Sequence, residues 1–193
     1  MQGLLWASRL IDWLSERVGR LVYWLILVSV LVSSGNALVR YVFARSSNGW
    51  LEIQWYLFSA VFLLGAGYTL QQNEHVRIDI IYSRLRPQTR AWIDIFGTLF
   101  FLLPMASLIM VLAWPVFTEA WRLNEYSTDA GGLIRWPVKL LIPVGFFLLV
   151  LQGLSELIKR VAFLAGLIDD PSIKPRNPTA EDPVQVAKGE GGS

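Results

Sequence analysis

The sequence predicts an all-α integral membrane bundle of four transmembrane helices, with an N-terminal amphipathic interfacial helix. Three observations predict it. Hydrophobic residues make up 54% of the 193 and charged residues only 17%, against roughly 25% charged in soluble domains. Four long stretches carry no Asp, Glu, Lys, Arg or His. The alternating short-strand pattern of an outer-membrane barrel is missing from them. Bilayer crossing then forces helix, because lone strands leave backbone groups unpaired in lipid.

Residues 1–20 open the chain. Trp6, Leu10, Trp13, Leu14 and Val18 fall on one helical face at spacings of three and four. Arg9, Asp12, Glu16, Arg17 and Arg20 lie away from it. That is the pattern of a helix lying in the membrane interface. A plain N-terminal extension of the first span fits the same residues. The first three charge-free stretches, 21–39, 53–73 and 95–118, each cover roughly 30 Å at about 1.5 Å per residue. The fourth, 140–155, is short, and its span extends past Glu156 to 158. Together they define a four-span membrane domain over residues 21–168. From 169 to 193, Pro171, Pro175, Pro178 and Pro183 alternate with charged residues and Gly, which predicts a disordered tail. No internal repeat has a convincing period, so an inverted-repeat transporter is not supported.

Orientation follows from Lys and Arg in the loops. The N-terminal side holds Arg9, Arg17 and Arg20; the loop after span two adds Arg77, Arg84, Arg86 and Arg90; the tail adds Lys159, Arg160, Lys174, Arg176 and Lys188. The opposite side has only Arg40, Arg45, Arg122, Arg135 and Lys139. Both termini are therefore expected on the cytoplasmic side. Tyr23, Trp24, Trp50, Trp55, Trp92, Trp114, Trp121 and Trp136 sit near span ends, as interfacial belts require.

Composition excludes much chemistry. Without Cys there are no disulfides, thiol nucleophiles, Fe–S clusters or Cys-based zinc sites. One histidine, His75, cannot build a bis-histidine haem. It is expected as a loop histidine paired with Glu74 or Asp79, with a pH switch as the sharper reading. No basic run interleaves with aromatics, so no nucleic-acid partner is expected. Phosphate loops, HExxH, GxSxG and EF-hand patterns are absent from the chain.

Ion-coupled carriers place ionisable groups inside the bundle. Here the mid-span polar groups are Ser29, Ser59 and Ser107, with Asn36, Gln54 and Gln152 nearer span ends. None titrates usefully. Pro104 and Pro115 can kink span three, but no Gly/Pro-interrupted helix pair offers a sodium site. No catalytic, cofactor or metal site is expected, and no enzymatic activity. What the spans can do is pack. Ser29, Ser33 and Ala37 make a small-residue stripe on span one, and Gly65, Ala66 and Gly67 thin span two. Such residues let helices approach closely in lipid, against each other or a partner.

Five residues of the opposite, outward side are partner-contact candidates: Arg40, Trp50, Glu52, Glu125 and Arg135. Glu52 opens span two, where a carboxylate suits a helix start or meets a partner. Glu125 and Arg135 lie in a loop of mixed charge with Glu119, Arg122, Asp129 and Lys139, which is a solvated loop or a docking rim.

The run Asn73-Glu74-His75-Val76-Arg77-Ile78-Asp79-Ile80-Ile81, after a Gly-Ala-Gly span, resembles the small membrane subunit of tripartite ATP-independent periplasmic (TRAP) transporters. Arg40-Tyr41-Val42-Phe43, Trp50 with Glu52, Glu125 with Ser127, Trp136-Pro137, Pro143-Val144-Gly145 and Gln152 match in order. The resemblance covers about residues 20–165. One departure is Leu51, where many relatives carry a second acid beside Glu52. The resemblance implies a four-helix subunit of the bacterial inner membrane. Its implied partners are a large polytopic membrane subunit, which carries the solute and sodium sites and moves as an elevator, and a periplasmic substrate-binding protein. The chain would be their non-catalytic scaffold in sodium-coupled import of small organic acids or related solutes, with no cofactor of its own. Two rivals remain at this point. A cofactor-bearing subunit of a membrane redox enzyme would need ligands that one His and no Cys hardly supply. A stand-alone four-span exporter would need a mid-membrane carboxylate.

Overall fold

A computed structural model describes residues 2–43, 48–72 and 85–168. The described residues form five α-helices: α1 (Gln2–Phe43), α2 (Asn48–Gln71), α3 (Pro87–Gly97), α4 (Leu103–Arg122) and α5 (Trp136–Leu164). A π-helical turn, Thr98–Leu102, joins α3 to α4, so Pro87–Arg122 runs as one 36-residue span. Among the described residues, four helices are thus long and apolar enough to cross a membrane. No strand occurs among the described residues.

The π turn sits where the sequence demands a change of ladder. Pro104 has no N–H to donate and its ring crowds the carbonyl four residues back. Widening the turn just before it relieves that conflict. Two Schellman motifs close helices. Asn124 takes a left-handed conformation (φ 46°) after α4, with Glu125 N donating to Ala120 O at 3.0 Å and Asn124 N to Trp121 O at 3.3 Å. Gly166 (φ 70°) does the same after α5, with Leu167 N on Ala162 O and Gly166 N on Phe163 O, each at 3.0 Å. Both satisfy carbonyls that a helix end leaves orphaned.

Helix α5 is the axis of the molecule. α1, α2, α3 and α4 all pack on it, and α1 also packs on α2, while α4 leans on α5 alone among the long helices. Small residues allow it. A Cβ at Gly145 would lie 2.7 Å from Leu63 O of α2, and one at Gly153 would lie 2.8 Å from Leu102. Gly67 meets Leu148 at ordinary contact distance. Of the expected stripes, Gly67 is buried against α5 and Gly65 faces Val22 of α1. Ser29 and Ser33 are half-buried and Ala37 is exposed. Large apolar side chains such as Trp24, Leu31, Phe62, Phe101, Met105 and Val111 point away from the bundle. That is inside-out for a soluble protein and ordinary for one solvated by lipid.

The N-terminal segment differs from the expected separate interfacial helix. Residues 2–20 belong to α1 without a break. At 42 residues α1 is about 63 Å long, twice the ~30 Å of a hydrocarbon core. Trp6, Leu10 and Trp13 are exposed, and the face turned to α5 is Ser8, Asp12 and Ser15. The extension keeps its helix because α5 continues to Leu164 and gives those polar groups partners. The expected disordered tail, the His75 loop and the motif from Asn73 to Ile81 lie outside the described residues.

Candidate functional site

No Asp, Glu, Lys, Arg or His lies on α1 between Arg20 and Arg40, on α2 beyond Glu52, on the third span between Asp94 and Glu119, or on α5 between Lys139 and Glu156. The described chemistry therefore gathers at two ends.

At one end, α2 meets the loop between α4 and α5. Tyr126 and Ile134 form an antiparallel bridge, tied by Ser127 N to Leu133 O (2.9 Å) and Arg135 N to Glu125 O (2.8 Å). The loop tip turns through Gly131 (φ 76°), with Gly132 N on Asp129 O at 3.0 Å. Glu52 closes this structure. Its Oε2 accepts the Leu133 N–H at 2.6 Å, and its Oε1 accepts the Ser127 hydroxyl. A side chain at Gly132 would strike both Ser127 and Glu52, so glycine is required for the loop to come this close. Asn48 Nδ2 donates to Ala130 O at 3.2 Å, and the Tyr56 hydroxyl to Ile134 O at 3.1 Å. Glu125 pairs with Lys139 and lies 3.9 Å from Arg135. An open cleft of about 510 Å³ is lined by Glu52, Trp55, Tyr56, Asp129, Arg135 and Lys139 among others.

Of the five candidates, this end gathers Glu52, Glu125 and Arg135. Trp50 sits on the first turn of α2 and is half exposed. Arg40, in the last turn of α1, is exposed and pairs with no described residue.

The other end holds a cluster that sequence reasoning missed. Asp12 Oδ1 accepts hydrogen bonds from Gln152 Nε2 (2.9 Å), Ser155 Oγ (2.9 Å) and Lys159 Nζ (3.2 Å). Ser15 donates to Gln152 Oε1 at 2.6 Å, and Ser8 Oγ lies 2.8 Å from Ser155 Oγ. Gln71 of α2 donates to the Asp12 backbone oxygen at 3.1 Å. Lys159 also pairs with Glu156, and Arg160 reaches Asp94 of α3 at 3.2 Å. Gln152 and Ser155 are fully buried, and Glu156 and Arg160 nearly so. Their spacing was a usable signal. Ser8, Asp12 and Ser15 share one face of α1, and Gln152, Ser155, Glu156 and Lys159 share one face of α5.

Against known proteins, the family model for the DctQ component of tripartite ATP-independent periplasmic transporters matches residues 29–163. The chain belongs to the DctQ family. No curated protein and no solved structure matches it. The DctQ match takes in all of α2, α3 and α4 and nearly all of α5, so it covers the Glu52 end whole. At the other end it includes Gln152, Ser155, Glu156, Lys159 and Arg160 but starts after Asp12. As the DctQ component, the chain is the small, multi-pass membrane subunit of a TRAP transporter.

Proposed function

We propose that the chain is a non-catalytic, stationary scaffold of a sodium-coupled importer for small organic acids or related solutes. It holds a large polytopic subunit, which carries the sodium and solute sites, and helps receive a soluble binding protein at the Glu52 end. It has no cofactor of its own. It sits in a bacterial inner membrane with both termini cytoplasmic, since Lys and Arg are concentrated at the Asp12 end and in the flanking loop and tail. The amphipathic start of α1 lies at the cytoplasmic interface, with Trp6, Leu10 and Trp13 toward lipid. The outward loops 40–52 and 119–139 form the receiving surface, with Arg40, Trp50, Glu125 and Arg135 as its contacts and Glu52 holding its shape.

One observation carries the scaffold reading. Helices α1, α2 and α3 are tied to α5 or to its leading loop by polar groups at the two ends, while the middle of each span offers no ionisable side chain. A solute site coupled to an ion gradient needs charge or convergent oxygens at mid-depth. The test is reconstitution in vesicles under a sodium gradient. The chain alone accumulates no solute, and co-reconstitution with the large subunit and binding protein restores uptake. Uptake by the chain alone contradicts the proposal.

A further inference from the structure

Asn48, Glu52 and Tyr56 are spaced four residues apart, so they form one stripe along α2. Each bonds a different point of the α4–α5 loop: Ala130 O, Leu133 N with the Ser127 hydroxyl, and Ile134 O. The stripe thus grips the loop on one side of its bridge. Glu52 is the middle grip and uses both carboxylate oxygens inside the chain. A carboxylate accepting from a backbone N–H is a strong, short contact, and loops without such ties open easily.

We infer that Glu52 is a positioning residue: with Asn48 and Tyr56 it fixes the α4–α5 loop in the shape that the soluble binding protein meets, without touching that protein itself. This rests on the docking reading above. It assigns the outward effect of Glu52 to loop geometry, not to its charge. A preformed loop saves the ordering cost that a mobile one brings to docking.

Gln separates the two roles. A glutamine amide keeps an oxygen for the Leu133 N–H and turns an N–H toward the Ser127 hydroxyl, which accepts as readily as it donates. It abolishes the charge. Vesicles holding the chain with its large subunit are titrated with the transporter's own binding protein, and amide exchange is followed over residues 123–135 in the same preparations. Glu52→Ala speeds loop exchange about 10-fold or more and raises the half-saturating binding-protein concentration about 10-fold, with the maximal rate held. Glu52→Gln stays within about threefold of wild type in both. Tyr56→Phe, which removes only the hydroxyl, gives a smaller change of the same kind.

Three results overturn the inference. The first is Glu52→Gln as impaired as Glu52→Ala with an ordered loop, which makes Glu52 a direct charge contact. The second is unchanged loop exchange in Glu52→Ala. The third is a loosened loop with unchanged half-saturation. Wild-type uptake that ignores the binding protein is distinguishable from all three and removes the docking reading itself.

Discussion

The two polar ends solve different problems with similar residues. At the Asp12 end, side chains bond side chains across rigid helices, and the groups are buried. At the Glu52 end, side chains of one helix bond the backbone of a loop, and the groups are half exposed. Buried polar networks are costly to leave half-satisfied. Partly exposed ones can fall back on water. The Asp12 end therefore fastens helices, and the Glu52 end shapes a surface. Damage at the first should appear as lost stability, and damage at the second as lost loop order with the bundle intact.

The largest effect is expected from Arg160→Ala. It removes the guanidinium 3.2 Å from Asp94 in a site that is nearly closed to solvent, and removing one partner of a buried pair costs about 3–5 kcal/mol. Unfolding in detergent, followed by circular dichroism, measures it; a loss under about 1 kcal/mol would mean the pair is solvated. Asp12→Ala leaves Gln152, Ser155 and Lys159 without their common acceptor. The site is less closed, so about 2–3 kcal/mol is expected. The Asp12→Asn, Lys159→Met double variant should lose less than the sum of its single changes, as coupled neighbours do; strict additivity would show that the two do not share a network. Glu52→Ala should leave the unfolding midpoint of the bundle close to wild type. A midpoint shift as large as that of Asp12→Ala would erase the contrast between the ends. Smallest of all, Arg40→Ala should change neither stability nor loop exchange, because Arg40 pairs with no described residue.

How far the residues alone foretold this differs between the ends. The four spans stood out because crossing lipid requires about 20 uncharged residues in a row, and nothing else in a chain this small produces such runs. Span ends were blurrier, since helices continue into polar ends wherever another helix gives them partners. Asp12 shows why the first cluster escaped. On a helix wheel it sits with Arg9 and Glu16, and a surface-lying helix sends all three to water. In the fold the segment runs unbroken into the first span and Asp12 turns to Gln152, a choice made by α5, some 140 residues away. Gln152 was visible as a polar residue near a span end, but not its depth or its partners. At the other end Glu52, Glu125 and Arg135 were found, and Asn48 and Tyr56 were not. Asn48 and Tyr56 follow the four-residue spacing of one helix face, yet that spacing means nothing until a loop lies along it.

The central claim is that this DctQ component stays still while its partner moves. Ser8 and Ser155 allow a direct test, for their hydroxyl oxygens lie 2.8 Å apart across α1 and α5. The chain has no native Cys, so Ser8→Cys with Ser155→Cys supplies its only thiol pair, placed closely enough for a disulfide. Uptake by the reconstituted transporter is then measured with the pair oxidised and reduced. A stationary scaffold predicts the same rate in both states. Uptake that stops on oxidation and returns with reductant would show that α1 and α5 must part during transport, and would contradict the account.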